Sequence, residues 1–447
     1  MLKPMLAATS GLMILASAAM AAPDETDALF VCKETGNNRS DGSKEKPFKN
    51  IQNAIDKAKN GQTIIVAEGN YFGTLDKGNI NVTKPVKIYG GYAKGFGERD
   101  ILKHRAMVQP SPESNGTQNG QGTMQIQVKE PGGEVVIDGL IFDRGNSISY
   151  NAKGEGKPEG VASAMMNPIG TAGIGGPDLT TEKVFTTQTA IIYLDSAARC
   201  DVTIRNCAFI NAPNYGIRGS FGGKKCVIDN CIFINCRMAA AEIPGGGSAA
   251  EQKEIRFTNN TVLFSWSRLK DMADMGYGYR YMTAIDSYVE NCIIGLSTFA
   301  GLDRTRVHSD KAVEAKRVTT AERNVFFLNK NGDLTLPGGG LYLSVSADDF
   351  EEVEQLAKVE GNKVLKDPAA FKGVINEAYL NGFLAASYKE TTNVDPNSPA
   401  NAFRAAMGMN IQGTMTSSAT MYANRYPWEE ALKFFGAMEG VGAQMPK

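Results

Sequence analysis

Histidine is almost missing from this chain, with 2 in 447 residues. With so few imidazoles and no clustered Cys/His pairs, a His-rich metal site is not expected. Charge of one sign is missing too: 47 Lys+Arg face 48 Asp+Glu, a net charge of −1. The chain as a whole therefore exerts no pull on nucleic acid or anionic lipid. Beyond the first 22 residues no apolar run approaches the ~20 residues that cross a bilayer. The Gly-rich runs at 245–247 and 338–340 lack the Lys-Ser/Thr of a phosphate loop and read as turns. No EF-hand or repeated Gly-Asp motif appears, so calcium is possible but unsupported, with Asp138 in a turn the only suggestion of it. Hydrophobic residues at 42% and charged residues at 21% exclude a disordered, collagen-like or coiled-coil chain. What is abundant is glycine, 48 residues, which points to many turns rather than long helices.

The start of the chain reads as a signal peptide over 1–21. Lys3 is the positive n-region, Met5 to Ala19 is apolar, and Ala19-Met20-Ala21 is an A-x-A site with cleavage after Ala21. A periplasmic or secreted protein is the expectation, without a membrane anchor. Seven cysteines then stand in an oxidising compartment, where disulfides are permitted. Their odd number leaves at least one thiol free unless the chain pairs with another, and the oligomeric state is not readable. Cys207, Cys231 and Cys292 recur at one place in a repeat, as small buried hydrophobes would.

That repeat is the strongest signal. Val202-Thr-Ile-Arg-Asn-Cys-Ala-Phe209 returns as Cys226-Val-Ile-Asp-Asn-Cys-Ile-Phe233, as Ile255-Arg-Phe-Thr-Asn-Asn-Thr-Val262 and in Tyr288-Val-Glu-Asn-Cys-Ile-Ile294. Val135-Val-Ile-Asp-Gly-Leu-Ile-Phe142 and Arg323-Asn-Val-Phe-Phe327 are weaker echoes. The asparagines at 206, 230, 259, 291 and 324 step by 24, 29, 32 and 33 residues, a solenoid period. Apolar residues alternate with period two on either side of each Asn, as in short half-buried strands. The Asn interrupts the alternation, so it marks a tight bend, where its tolerance of left-handed backbone is useful. Stacking such coils puts the strands in parallel ~4.8 Å apart and the Asn side chains in a ladder. The expected fold is an all-β solenoid, a right-handed parallel β-helix over 22–345.

The opening residues carry the same reading. Leu29-Phe-Val-Cys-Lys-Glu-Thr-Gly, then Lys46-Pro-Phe-Lys-Asn-Ile-Gln-Asn-Ala-Ile-Asp-Lys-Ala, then Gly61-Gln-Thr-Ile-Ile-Val-Ala-Glu-Gly-Asn-Tyr71 and Ile80-Asn-Val-Thr-Lys-Pro-Val-Lys-Ile-Tyr-Gly-Gly-Tyr92 resemble the right-handed parallel β-helix superfamily, the pectate-lyase-like proteins. The resemblance covers roughly residues 28–345. It is specific for fold and weak for activity, since such proteins include lyases, hydrolases, epimerases, adhesins and non-catalytic members. Ile51, Ala54, Ile55 and Ala58 share one face of a short helix expected to cap the open end of the solenoid. Residues 144–187 read as a long loop, and 267–283 as a lengthened turn. Residues 346–447 form a mostly helical tail, expected to pack on the solenoid or cover its end.

In proteins of this resemblance the substrate lies along the outer face of one sheet, a property implied by family and not by spacing. Aligning the coils places Tyr193, Arg218 and Glu242 one rung apart on such a face, with Ile217 inward. On an acidic polysaccharide, Arg218 would neutralise a uronate carboxylate, Tyr193 would act as base or acid, and Glu242 would orient Arg218. The plainer reading is a surface ladder worth ~0.2–1 kcal/mol per pair. Tyr215, Arg237, Trp266, Arg268, Tyr277, Tyr279, Arg280 and Tyr281 are candidates for contact with sugar, since flat rings stack on sugar faces and guanidinium binds acids bidentately. His104 and His308 fall in no recognisable triad. The expected function is action on a polysaccharide, as a lyase on a uronate glycan, against a non-catalytic surface or matrix protein that binds glycan or protein; whether the chain is an enzyme stays open.

Overall fold

The computed structural model describes residues 23–73, 79–109, 122–144, 190–212, 214–244, 252–266, 276–338, 340, 342–387, 395–411 and 425–446. Residues 1–21, expected as a signal peptide, most of the segment 144–187, Gly245 to Gly247 and Arg268 lie outside the described residues.

Each coil contributes one short strand to each of three sheets, A, B and C, in that order. Among the described residues each sheet has nine strands. The strand pairs are parallel, apart from an antiparallel closing pair, Leu334–Leu336 with Leu343–Val345. Inward residues stack in columns because the side-chain period is two and the rungs are in register. Phe142, Phe209 and Phe233 form one such column, with ring centroids 5.3 and 4.6 Å apart and nearly parallel planes. All seven cysteines are buried and unpaired.

The bends behave as the repeat implies. Asn206, Asn230, Asn259 and Asn291 take φ of 53°, 51°, 53° and 55°, the left-handed region that Asn accepts more readily than most residues. Asn230 Nδ2 donates to Asn206 Oδ1 at 2.8 Å, and Asn291 Nδ2 to Asn259 Oδ1 at 2.7 Å. The fifth bend differs from expectation. Arg323 holds the left-handed bend, at φ 54°, and Asn324 turns inward beside it. Asn324 occupies the column of Cys207, Cys231 and Cys292, and its Oδ1 accepts the Cys292 N–H at 2.9 Å. A second bend column, between sheets B and C, was not read from sequence: Asn211, Asn235, Phe264, Leu296 and Leu328 all have positive φ.

Ile51–Lys57 forms the N-terminal cap, burying Ile51, Ala54 and Ile55. Its Gln52 also satisfies the free edge of sheet C, donating to Asn81 O at 3.1 Å and accepting from Asn81 N–H at 2.7 Å. At the other end the coils run past residue 345, since Lys363–Val364 pairs with Val325–Phe327 as a last rung. The rest of the C-terminal segment carries α-helices at Glu377–Ser387, Pro399–Ala406 and Trp428–Ala431, with a 3-10 turn before them at Pro368–Phe371 and another after them at Leu432–Phe434. It lies along the outer face of sheet B. There Ile210, Ile234, Leu263 and Phe327 are buried against Phe371, Phe383, Phe403 and Phe434. Two backbone clasps fix it: Tyr426 N–H and C=O engage the Asn211 amide at 2.8 and 3.0 Å, and Gln444 N–H and C=O engage Asn230 at 2.6 and 3.1 Å.

Candidate functional site

Sheet C differs from sheet B in what its outer face carries. Register places Asn81, Gln125, Tyr193, Arg218, Glu242, Arg280, Asp303 and Thr335 in a single column, one residue per rung. Beside it runs a column of Ala190, Tyr215, Ala239 and Tyr277. The structure thus brings Tyr193, Arg218 and Glu242 together and adds Arg280 and Asp303, of which sequence reasoning missed Asp303. A charge at each equivalent position of Tyr193-like strands would have shown it, but the strand Leu302–Asp303 is too short for its pattern to register.

The column alternates in sign. Arg218 Nε donates to Glu242 Oε1 at 3.2 Å. Glu242 Oε2 accepts from the Tyr277 hydroxyl at 2.5 Å and from Arg280 Nη1 at 3.3 Å. Arg280 Nε donates to Asp303 Oδ2 at 2.5 Å, and the Thr335 hydroxyl donates to Asp303 Oδ1 at 2.8 Å. The guanidiniums of Arg218 and Arg280 lie over the rings of Tyr215 and Tyr277, 4.8 and 4.6 Å from the centroids. Exposure separates the members. Arg218's side chain is 39% exposed, against 3% for Glu242, 5% for Arg280 and 0% for Asp303. Tyr193 is partly exposed. One cation therefore faces solvent, held from below by buried counter-charges.

The electrostatics fit that division. Burial alone would raise Glu242, but the Tyr277 hydroxyl and the Arg218 and Arg280 guanidiniums outweigh it and hold the carboxyl below its usual range. Burial works against charge on Arg218, yet Tyr215 and Glu242 keep its pKa above the ordinary value. Burial pushes the Tyr215 phenol up to about 12, and Tyr277 well above its ordinary value. Neither phenol is suited to remove a proton near neutral pH.

Several expected sugar contacts are placed elsewhere. Tyr277, Tyr279 and Tyr281 are buried, on or just after the strand Tyr277–Arg280 rather than in a turn. Tyr279 and Tyr281 belong to the interior, where Tyr281 donates to Thr320 O at 2.6 Å. Trp266 and Arg237 are fully buried, stacked 5.5 Å apart at the sheet B side, with the indole N–H donating to Asn235 Oδ1 at 2.9 Å. These rings hold the fold and present no face to a sugar. Asp138 is the last residue of the strand Glu134–Asp138, not a turn residue, and it accepts from Arg99, Arg205 and Asn206 at 2.6, 2.6 and 2.9 Å. Two cations and an amide thus already engage both of its oxygens. No group of three or more His, Cys, Asp or Glu could hold a metal ion among the described residues. His104 is clasped between Glu68 and Glu98, both at 3.1 Å, far from the column in the chain. His308 lies in the loop after sheet C, its Nδ1 accepting the Asp310 N–H at 3.0 Å. An open groove of about 780 Å³, lined by Lys87, Glu134 and Asp201 among others, opens at the corner between sheets C and A. It includes neither Tyr193 nor Arg218.

Comparison with known proteins agrees with this architecture. A family model described as "Right handed beta helix region" matches residues 190–376, and one described as "Protein of unknown function (DUF1565)" matches residues 34–130. No curated protein matches the chain. Among solved structures it is similar to a pectin methylesterase in complex with a hexasaccharide (12% identity, 77% of this chain and 90% of that chain, TM-score 0.36). It is also similar to a rhamnogalacturonan lyase (11%, 68% and 69%, 0.35) and to the pectin methylesterase of Aspergillus niger (12%, 72% and 87%, 0.29). At such identities and scores the likeness assigns no activity. The chain is a right-handed parallel β-helix. Among the described residues no helix is long and apolar enough to cross a membrane.

Proposed function

We propose that this is an exported β-helix protein that binds an acidic polysaccharide along the outer face of sheet C. The observation that carries the reading is Arg218: a half-exposed guanidinium held over Tyr215 and bound to buried Glu242. A planar cation fixed on a rigid strand suits a carboxylate, which it can grip through two parallel hydrogen bonds. Tyr193, Gln125 and Asn81 continue the column at one rung each, ~4.8 Å apart, and supply hydroxyl and amide groups for a chain laid along the sheet.

A lyase is the second reading, favoured by the position of Tyr193 one rung from Arg218. Arg218 would neutralise the uronate carboxylate and make its α-proton acidic. Tyr193 as phenolate would take that proton, the C–O bond would break with its electron pair leaving on the oxygen, the Tyr193 phenol would return the proton to that oxygen, and a carbon–carbon double bond would remain in the new sugar end. Incubation with pectate, alginate and hyaluronan separates the readings. Ultraviolet absorbance from unsaturated ends, abolished in Tyr193→Phe while binding persists, supports the lyase. Binding without new absorbance supports a non-catalytic protein. No binding to any polyuronate sinks both.

A further inference from the structure

A second charged cluster lies away from the column, in the corner that leads from sheet C back to sheet A. The corner is pinned at both ends: Arg304 N–H donates to Thr335 O, and Val318 N–H to Asp286 Oδ1, each at 2.8 Å. Between them the turn Lys311–Glu314 brings Glu314 back against two arginines. Its Oε1 accepts Arg304 Nη2 at 2.5 Å; its Oε2 accepts the His308 N–H at 2.8 Å and lies 3.5 Å from Arg317 Nη1. The side chains of Arg304 and Arg317 are 6% and 2% exposed.

The charges do not balance. Glu314 is one carboxylate, held ionised against its burial by the His308 N–H and by both guanidiniums. It faces two cations, and one positive charge is left over. Of the neighbouring acids, Asp303 is paired with Arg280, and Asp286, which accepts from the neutral Gln252 amide and the Val318 N–H, makes no ion pair with either arginine. Hydrogen bonding is short as well. Among the described residues, Nε, Nη1 and Nη2 of Arg317 and Nε of Arg304 have no hydrogen-bond partner. The buried hydroxyls of Thr319 and Thr320, at the start of the next strand, have none either. Buried guanidinium nitrogens without acceptors are rare in native proteins and call for an acceptor, a bound water or an ion, and the uncompensated charge favours the ion.

We propose that Arg304 and Arg317 form a buried site for one small monovalent anion of the chloride class. A single negative charge brings the cluster to neutrality, and an acceptor of that kind takes several N–H groups at once. The anion would tie the corner to the last rungs of the solenoid. The inference is independent of any glycan reading, since Arg218 and Tyr193 take no part in it.

The test uses the full mature chain in chloride-free sodium methanesulfonate at constant ionic strength. Added chloride should raise the melting temperature saturably, and its chlorine-35 resonance should show excess linewidth that bromide displaces. Arg317→Met should lose both responses. A bromide-soaked crystal should place an anomalous peak in contact with Arg304 and Arg317. Should Arg317→Met fail to fold, the wild-type responses and the bromide position still decide. Excess linewidth that persists in a folded Arg317→Met, a wild type that does not distinguish chloride from methanesulfonate, or no bromide at the two arginines would overturn the proposal.

Discussion

Sheets B and C are built on the same coils and share the same interior, yet their outer faces carry opposite chemistry. Sheet B shows Ile210, Ile234, Leu263 and Phe327 outward, and the chain's own C-terminal segment covers them. Sheet C shows Tyr193, Arg218, Glu242, Arg280 and Asp303 in the equivalent exterior column. The interior columns fix which residues become vertical neighbours. The exterior columns then decide what lies on each face. The apolar face has a cover of its own, whereas on the polar ladder Arg218 stays partly exposed above buried Glu242, Arg280 and Asp303.

The comparison can be broken from either side. Asp303→Ala should do most damage on sheet C, because it leaves Arg280 buried beside half of its former charge. A loss of about 3–5 kcal/mol in denaturant unfolding is expected, and a loss below about 1 kcal/mol would show that the lower ladder is not a buried ion network. Phe383→Ala should cost a similar ~3–5 kcal/mol by opening a cavity under the C-terminal cover. If its unfolding midpoint stayed unchanged, the cover would not be part of the cooperative unit. Asn211→Ala should cost about 1–3 kcal/mol, since it removes the clasp on Tyr426 and leaves buried backbone groups unmatched. Limited proteolysis should then release the C-terminal segment before the coils are cut. The same proteolytic pattern as wild type would contradict the clasp.

A smaller effect is expected at His104. Burial lowers its pKa, but Glu98 and Glu68, one against each ring nitrogen, outweigh burial and raise it above 6.5. Lys103 also pairs with Glu98 in the same loop. A raised folded-state pKa means the clasp contributes fully below pH 6.5 and is lost as pH climbs through the raised value. The stability difference between wild type and His104→Gln should therefore shrink as pH rises above 6.5; a difference flat across that window would remove the charged clasp. The smallest stability effect belongs to Arg218→Ala, about 0–1 kcal/mol given its exposure. Its expected consequence is on binding, which is what separates the exposed upper end of the ladder from its buried lower end.

Much of this was legible in the sequence because a solenoid writes its geometry locally. The asparagine steps gave the coils, and the alternation around Ile217 gave the register that sets Arg218 between Tyr193 and Glu242. The second column of bends was not legible, because its residues drift from Asn211 and Asn235 to Phe264, Leu296 and Leu328. Phe and Leu there give no turn signal; packing against the C-terminal cover compensates for their strained backbone. Trp266 and Tyr277 were misplaced for a related reason. Whether an outward ring is buried depends on which distant segment covers its sheet, and no local pattern carries that. At Arg323 the bend keeps its place in the coil while the asparagine stands one residue further on, which spacing alone does not distinguish.

Calorimetric titration with an oligouronate and with its methyl ester tests the glycan reading most directly. The account predicts that wild type binds the free acid, that esterification abolishes the binding, and that Arg218→Ala loses it while melting close to wild type. Equal affinity for acid and ester, or undiminished binding by Arg218→Ala, would contradict it.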